Sequence, residues 1–295
     1  MKKKAFIQYH IMMFPAMVLL AIFSIYPMFG AVLAFKDFNP VKGIWGSDFI
    51  GFENFTLLFH VPQIKQIFYN TIYIAVMKII FTELAALAFA LMLNELKKRH
   101  IKKAIQTIVY IPHFISWVLL AGIVANIFSL DGIINNFLGI FGIEPFMFLG
   151  SNKWFPGIII GSHVWQEFGF SAIIYLAALT GINLNLYEAA SIDGANRLRK
   201  LTSITLPGIT TTIVLLLTLS LQNVLNAGFE QIMNLYNPLV YQSGDIIDTY
   251  VYRAGLRDLQ YELATAVGLL KSAVSFILIS LSYFLASKFA NYRIF

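Results

Sequence analysis

The chain contains no cysteine. Disulfides and thiolate metal sites are therefore excluded. Charge is scarce too. Asp, Glu, Lys and Arg make up only 12% of the 295 residues, against about 25% in soluble domains. With 58% of the residues hydrophobic, that deficit points to an integral membrane protein. Catalytic signatures are also missing. There is no G-x-x-x-x-G-K-[ST] phosphate loop, and the glycines at 139–142 and 157–161 have no lysine beside them and follow no strand, so this chain is not expected to bind or hydrolyse ATP. Neither H-E-x-x-H nor G-x-S-x-G occurs, and no catalytic or metal-binding residue is expected. His113 and His163 stand alone within apolar runs, where a helix-packing role is the simpler reading. No period of 20–50 residues repeats and no low-complexity tract appears. The formal charge of +6 invites a nucleic-acid partner. None is expected, because the basic residues fall in alternate loops between apolar runs.

What is present is a series of apolar runs, each near the roughly 20 residues a membrane helix needs. They lie at 11–35, 67–93, 104–128, 156–180, 209–230 and 263–287. The first follows Lys2, Lys3 and Lys4. It is too long for a signal-peptide core and lacks an A-x-A cleavage site, so it reads as an uncleaved helix. The expected architecture is all-α: one polytopic membrane domain, 1–295, with about six transmembrane helices. Pro112 is expected to kink the third.

Basic residues set the orientation. The N-terminus, the second and fourth loops and the tail hold thirteen: Lys2, Lys3, Lys4, Lys97, Lys98, Arg99, Lys102, Lys103, Arg197, Arg199, Lys200, Lys288 and Arg293. The other segments hold six: Lys36, Lys42, Lys65, Lys153, Arg253 and Arg257. Both termini and the fourth loop are therefore expected in the cytoplasm. Among the outward segments, 36–66 is too aromatic for a disordered linker, and 248–256 reads as a short amphipathic segment.

The fourth loop does not look like a loop. Over 185–207, Asn185 and Glu188 have capping-box spacing, Leu186, Ala189, Ala190, Leu198 and Leu201 give partial helical periodicity, Asp193-Gly194 interrupts it, and Pro207 suits the first turn of a new helix. A short helix, a glycine bend, a second short helix and then a membrane helix are expected. The spacing Glu188-Ala189-Ala190, three residues, Gly194, nine residues, Ile204, one residue, Leu206-Pro207 resembles the cytoplasmic signature of the membrane subunits of binding-protein-dependent ABC importers, in the sugar-permease branch. Ile192-Asp193-Gly194-Ala195 and the stretch from Phe114-Ile115-Ser116-Trp117 to Gly132 and Asn135 are similar to that branch as well. Tyr236-Asn237-Pro238 and Asp248-Thr249-Tyr250-Val251-Tyr252-Arg253 look like the subgroup that takes complex or plant-polysaccharide-derived oligosaccharides. The large inserted outer domain of some maltose-type permeases is absent. The resemblance implies that the hairpin is a coupling helix, with Glu188, Ala189, Ala190, Asp193, Gly194, Ala195, Leu206 and Pro207 meeting an ATPase. It also implies a second homologous permease, a dimeric cytoplasmic ATPase carrying the ATP and Mg, and an extracellular solute-binding protein. This chain itself needs no cofactor.

Polar residues inside the apolar runs point to a passage, since a charge at the centre of a membrane helix costs about 2.5–3.5 kcal/mol on insertion scales. Lys78 and Glu83 are five apart, poor spacing for a mutual pair, so each is expected to have another partner. Trp165, Gln166 and Glu167 on the fourth helix, Gln222, Asn226 and Phe229 as a stripe on the fifth with Asn223 bordering it, and Lys271 on the sixth supply flat apolar surface and polar groups suited to sugars. The same amides could instead join helices to one another. Two rival functions stay open: a proton-coupled transporter using Glu83, Glu167 and His163, and a scaffold that binds partners without transport.

Overall fold

A computed structural model describes the backbone of residues 2–289 and the side chains of 9–281, 283 and 284. Arg293 lies outside the described residues, as do the side chains of Lys2, Lys3, Lys4 and Lys288. Among the described residues the regular structure is helical apart from two two-residue strands. Helix α1 (Lys2–Leu20) continues through a π turn (Ala21–Ile25) and shorter turns to Phe35. After strands β1 (Lys36–Asp37) and β2 (Asp48–Phe49) come α2 (Glu53–His60), α3 (Pro62–Asn94), α4 (Arg99–Tyr110), α5 (Trp117–Ile127) and α6 (Phe155–Thr180). The fourth loop holds α7 (Leu184–Ile192) and α8 (Arg197–Lys200); then α9 (Leu206–Leu221), α10 (Phe229–Leu235), α11 (Ile247–Tyr252) and α12 (Tyr261–Phe289) follow.

Among the described residues, four helical stretches are long and apolar enough to cross a membrane: Tyr9–Phe35, Pro62–Asn94, Arg197–Leu221 and Tyr261–Leu281. Two more spans arise if the bent pairs Arg99–Phe114 with Trp117–Ile127 and Phe155–Thr180 with Leu184–Ile192 each count as one. The third expected helix is thus not a kinked rod. Its two halves meet at 105°. Pro112 sits in a 3-10 turn, Ile111–Phe114, and Ile115 and Ser116 are extended.

Pro207 does not start a helix either. It lies inside the continuous stretch Arg197–Leu221, two residues after a π turn, Leu201–Thr205. Pro27 stands in the same relation to the π turn Ala21–Ile25. A proline ring clashes with the carbonyl four residues back. Here those carbonyls belong to Ser203 and Phe23, the central residues of the two wide turns. The i to i−5 bonds, Leu206 N–H to Leu201 O and Tyr26 N–H to Ala21 O, keep the helix going past a residue that would otherwise break it.

The chain divides into two units, Met1–Ile64 with Tyr250–Ser272, and Lys65–Thr249 with Ala273–Phe295. In the first, the aromatic segment after the first span is folded. Lys36 pairs with Phe49 across the strands, Lys36 Nζ donates to Trp45 O and Ser47 O, and Asn54 Nδ2 donates to Ala34 O and Lys36 O. The amphipathic segment expected near 248–256 is helical, formed by α11 and the π turn Arg253–Arg257.

The second unit is layered. Ile74 and Ala75 of α3, Phe155, Ile158 and Ile159 of α6, and Ala227 and Ile232 belong to one buried apolar cluster. Ala86 and Ala90 of α3, Ala172, Tyr175 and Leu179 of α6, and Ile209 and Leu216 of α9 belong to another. Lipid is as apolar as these side chains, so helix association rests on close packing, and small residues such as Ala86, Ala90 and Ala172 permit it. Along each of the three chain segments, the polar residues fall between the two clusters.

Candidate functional site

That polar layer encloses a cavity of about 420 Å³, lined by Lys78, Thr82, Glu83, His163, Glu167, Ser171, Ser220, Asn223, Asn226 and Gly228, among others. Lys78 and Glu83 have separate partners, as their spacing predicts. Lys78 Nζ donates to Ala227 O and Gln231 Oε1. Glu83 accepts from Tyr175 Oη at 2.7 Å and from Ser220 Oγ at 2.9 Å. Glu167 Oε2 lies 3.0 Å from His113 Nδ1. A carboxylate accepts, so Nδ1 carries the hydrogen. The His113 ring also stacks on Phe170, with centroids 3.9 Å apart and 2° between planes.

The structure divides the expected sugar-facing groups. The fifth helix ends at Leu221, so Gln222, Asn223, Asn226 and Phe229 do not form one helical stripe. Asn223 and Asn226 face the cavity from a non-helical turn, while Gln222 and Phe229 do not line it. The turn is closed by Gly228 at φ +90, a conformation that costs glycine little. On α6, successive residues point about 100° apart. Glu167 therefore reaches the cavity, Gln166 is buried and donates to Ile115 O at the α4–α5 break, and Trp165 is exposed and outside the cavity. Lys271, on α12, is not among the lining residues. His163 does line the cavity and stacks on Trp117.

Sequence reasoning missed Gln231, placed in an outward loop. It is fully buried, and its amide joins Lys78 to Ile159 O and Ser162 Oγ. The signal was Gly228 three residues earlier, a break in an otherwise helical pattern.

The second feature is the hairpin. Helix α7 is capped by Asn183, whose side chain accepts from Asn185 N–H at 3.0 Å. The capping box expected at Asn185 and Glu188 is not formed, because Asn183 is the extended residue (φ −65, ψ 120) and Asn185 already lies inside the helix. Glu188 is exposed. The bend is a Schellman motif: Ala195 N–H bonds Ala190 O at 2.8 Å and Gly194 N–H bonds Ser191 O at 3.2 Å, with Gly194 at φ +75. Asp193 is the C-cap. Asn196 then caps α8 through Arg199 N–H. Ala189 and Asp193 are exposed, and Ala190 and Ala195 half-buried. Leu206 and Pro207 lie within the helix that follows, at its first turn after the π turn.

Long apolar helices, a polar cavity between their packed layers and a bent hairpin joining two of them define a polytopic membrane transport subunit. A family model for the inner membrane component of binding-protein-dependent transport systems matches residues 84–291. Protein LplB of Bacillus subtilis strain 168 is 40% identical over 281 residues, covering 95% of this chain and 88% of its own. The polygalacturonan/rhamnogalacturonan transport system permease protein YteP of the same organism is 40% identical over 283 residues, covering 96% and 88%. A chain in the crystal structure of a bacterial alginate ABC transporter, in complex with an alginate pentasaccharide-bound periplasmic protein, superposes with a TM-score of 0.89 at 37% identity, covering 99% of this chain and 98% of that one. The chain belongs to the family of binding-protein-dependent transport system inner membrane components. Membership favours transport driven with a binding protein over either rival function.

Proposed function

We propose that the chain is the permease subunit of an ATP-driven importer of oligosaccharides derived from complex or plant polysaccharides. The relatives' substrates, polygalacturonan, rhamnogalacturonan and alginate, support that class. The proposed assembly pairs the single membrane domain with a second homologous permease. Two copies of a cytoplasmic ATPase hold the ATP and Mg, and an extracellular binding protein delivers the substrate. Both termini and the hairpin face the cytoplasm, as the excess of basic residues there suggests.

The observation that carries the mechanism is connectivity. The hairpin is attached at one end to α6, which brings His163, Glu167 and Ser171 to the cavity, and at the other to α9, whose last turn brings Ser220. ATPase closure displaces the hairpin through Glu188, Ala189, Ala190, Asp193, Gly194 and Ala195. The two attached helices then tilt, and the cavity changes the side to which it opens. Sugar hydroxyls bond Glu83, Asn223 and Asn226 on the way through.

The test is uptake of a labelled oligogalacturonide by vesicles carrying the assembled complex. Uptake is expected to stop on ATP depletion and to survive an uncoupler. Collapse with the uncoupler at constant ATP would favour the proton-coupled alternative instead.

A further inference from the structure

We propose that Lys78 is the anion-recognising residue of the cavity, so that the passage selects sugars carrying a carboxylate. This rests on the oligosaccharide reading above and names the substrate's charge class. Lys78 is 3% exposed and sits midway along α3, with apolar layers before and after it. A buried ammonium is costly unless a counter-charge and a full set of acceptors accompany it. Neither is present. Its three hydrogens have two protein acceptors, Ala227 O and Gln231 Oε1. Among the described residues no carboxylate forms an ion pair with it. Among the described residues the third hydrogen has no protein acceptor, and Lys78 lines the cavity.

Three further observations agree. Gly228 leaves the room the ammonium needs, since a Cβ there would lie 2.8 Å from Nζ. Thr82 is 7% exposed, lines the same cavity, and its hydroxyl has no hydrogen-bond partner among the described residues. The cavity's carboxylates are engaged elsewhere: Glu83 with Tyr175 and Ser220, Glu167 with His113. Glu83 lies about 7.5 Å along the helix from Lys78 and lines the same cavity. A uronate then places its carboxylate on Lys78 and the Thr82 hydroxyl, and its hydroxyls toward Glu83, in a charge-assisted contact stronger than a neutral one.

The experiment measures binding of digalacturonate and of neutral galactobiose to the chain, purified with its companion subunits and without the solute-binding protein. Wild type is expected to bind digalacturonate at least about tenfold more tightly. Lys78→Met brings the ratio close to one, Lys78→Arg keeps a preference, and Thr82→Val weakens digalacturonate several-fold. Equal affinities in wild type, or an undiminished preference in Lys78→Met, overturn the proposal. Should Lys78→Met fail to accumulate, the wild-type ratio and Thr82→Val decide it. Galactobiose binding as tight as digalacturonate sinks only the charge selection. Binding of neither sugar removes the oligosaccharide reading and this inference with it.

Discussion

The hydroxyls of Tyr187 and Thr205 lie 2.9 Å apart. They join the first arm of the hairpin to the π turn beneath the second. Lys200 Nζ adds a second tie to Ser191 Oγ at 2.7 Å. The two arms are therefore one body rather than two flexible pieces, and a push on α7 reaches α9 directly as well as through α6.

Loosening this tie should uncouple the complex without unfolding it. A hydrogen bond of this kind contributes about 0.5–1.5 kcal/mol. Tyr187→Phe is expected to leave the amount of protein in the membrane unchanged and to lower uptake per ATP hydrolysed by about two- to fivefold. Uptake and hydrolysis measured on the same vesicles give that ratio.

Gly194→Val is the sharper lesion. A left-handed backbone costs an L-residue about 1–2 kcal/mol, and a β-branched side chain resists it further. Nothing lies within 4 Å of a Cβ placed there, so the strain is in the backbone alone. Insertion should be normal and uptake abolished. A variant with wild-type uptake would remove the bend from the mechanism.

Tyr175 is 1% exposed and donates to Glu83. Tyr175→Phe leaves one Glu83 oxygen without that donor. The cost of an unmade buried hydrogen bond, about 1–3 kcal/mol, should appear as a lower thermal midpoint of the purified protein in detergent.

Asn226 faces the cavity from the turn after α9. Asn226→Leu is expected to reduce uptake at least about tenfold while assembly with the companion subunits falls by less than half. Equal losses in uptake and co-purification would make the amide helix glue.

Much of this was legible in the sequence. Long apolar runs mark spans because lipid demands length, and Gly194 marked the bend because few residues accept positive φ. The separate partners of Lys78 and Glu83 followed from helical spacing alone. What stayed hidden depended on backbone exits. Gln222 to Phe229 fit a 3.6-residue period, yet the helix stops at Leu221, and only the left-handed Gly228 betrays it. The cap expected at Asn185 falls two residues earlier, because Asn183 is the extended residue and Asn185 already lies inside the helix. Pro112 could not announce a 105° break because a proline kink and a proline break begin alike. Pro207 mimicked a helix start because a π turn placed before a proline has no sequence signature of its own.

The central claim is that the hairpin receives the work of a nucleotide-hydrolysing partner, and the most direct test uses its tip. Ile192 is 87% exposed, and the chain has no native cysteine. A single cysteine at Ile192 should react with a membrane-impermeant maleimide only from the cytoplasmic side, and should cross-link to a co-purifying ATPase subunit. Labelling from outside, or no cross-link to any ATP-hydrolysing protein, would contradict the account.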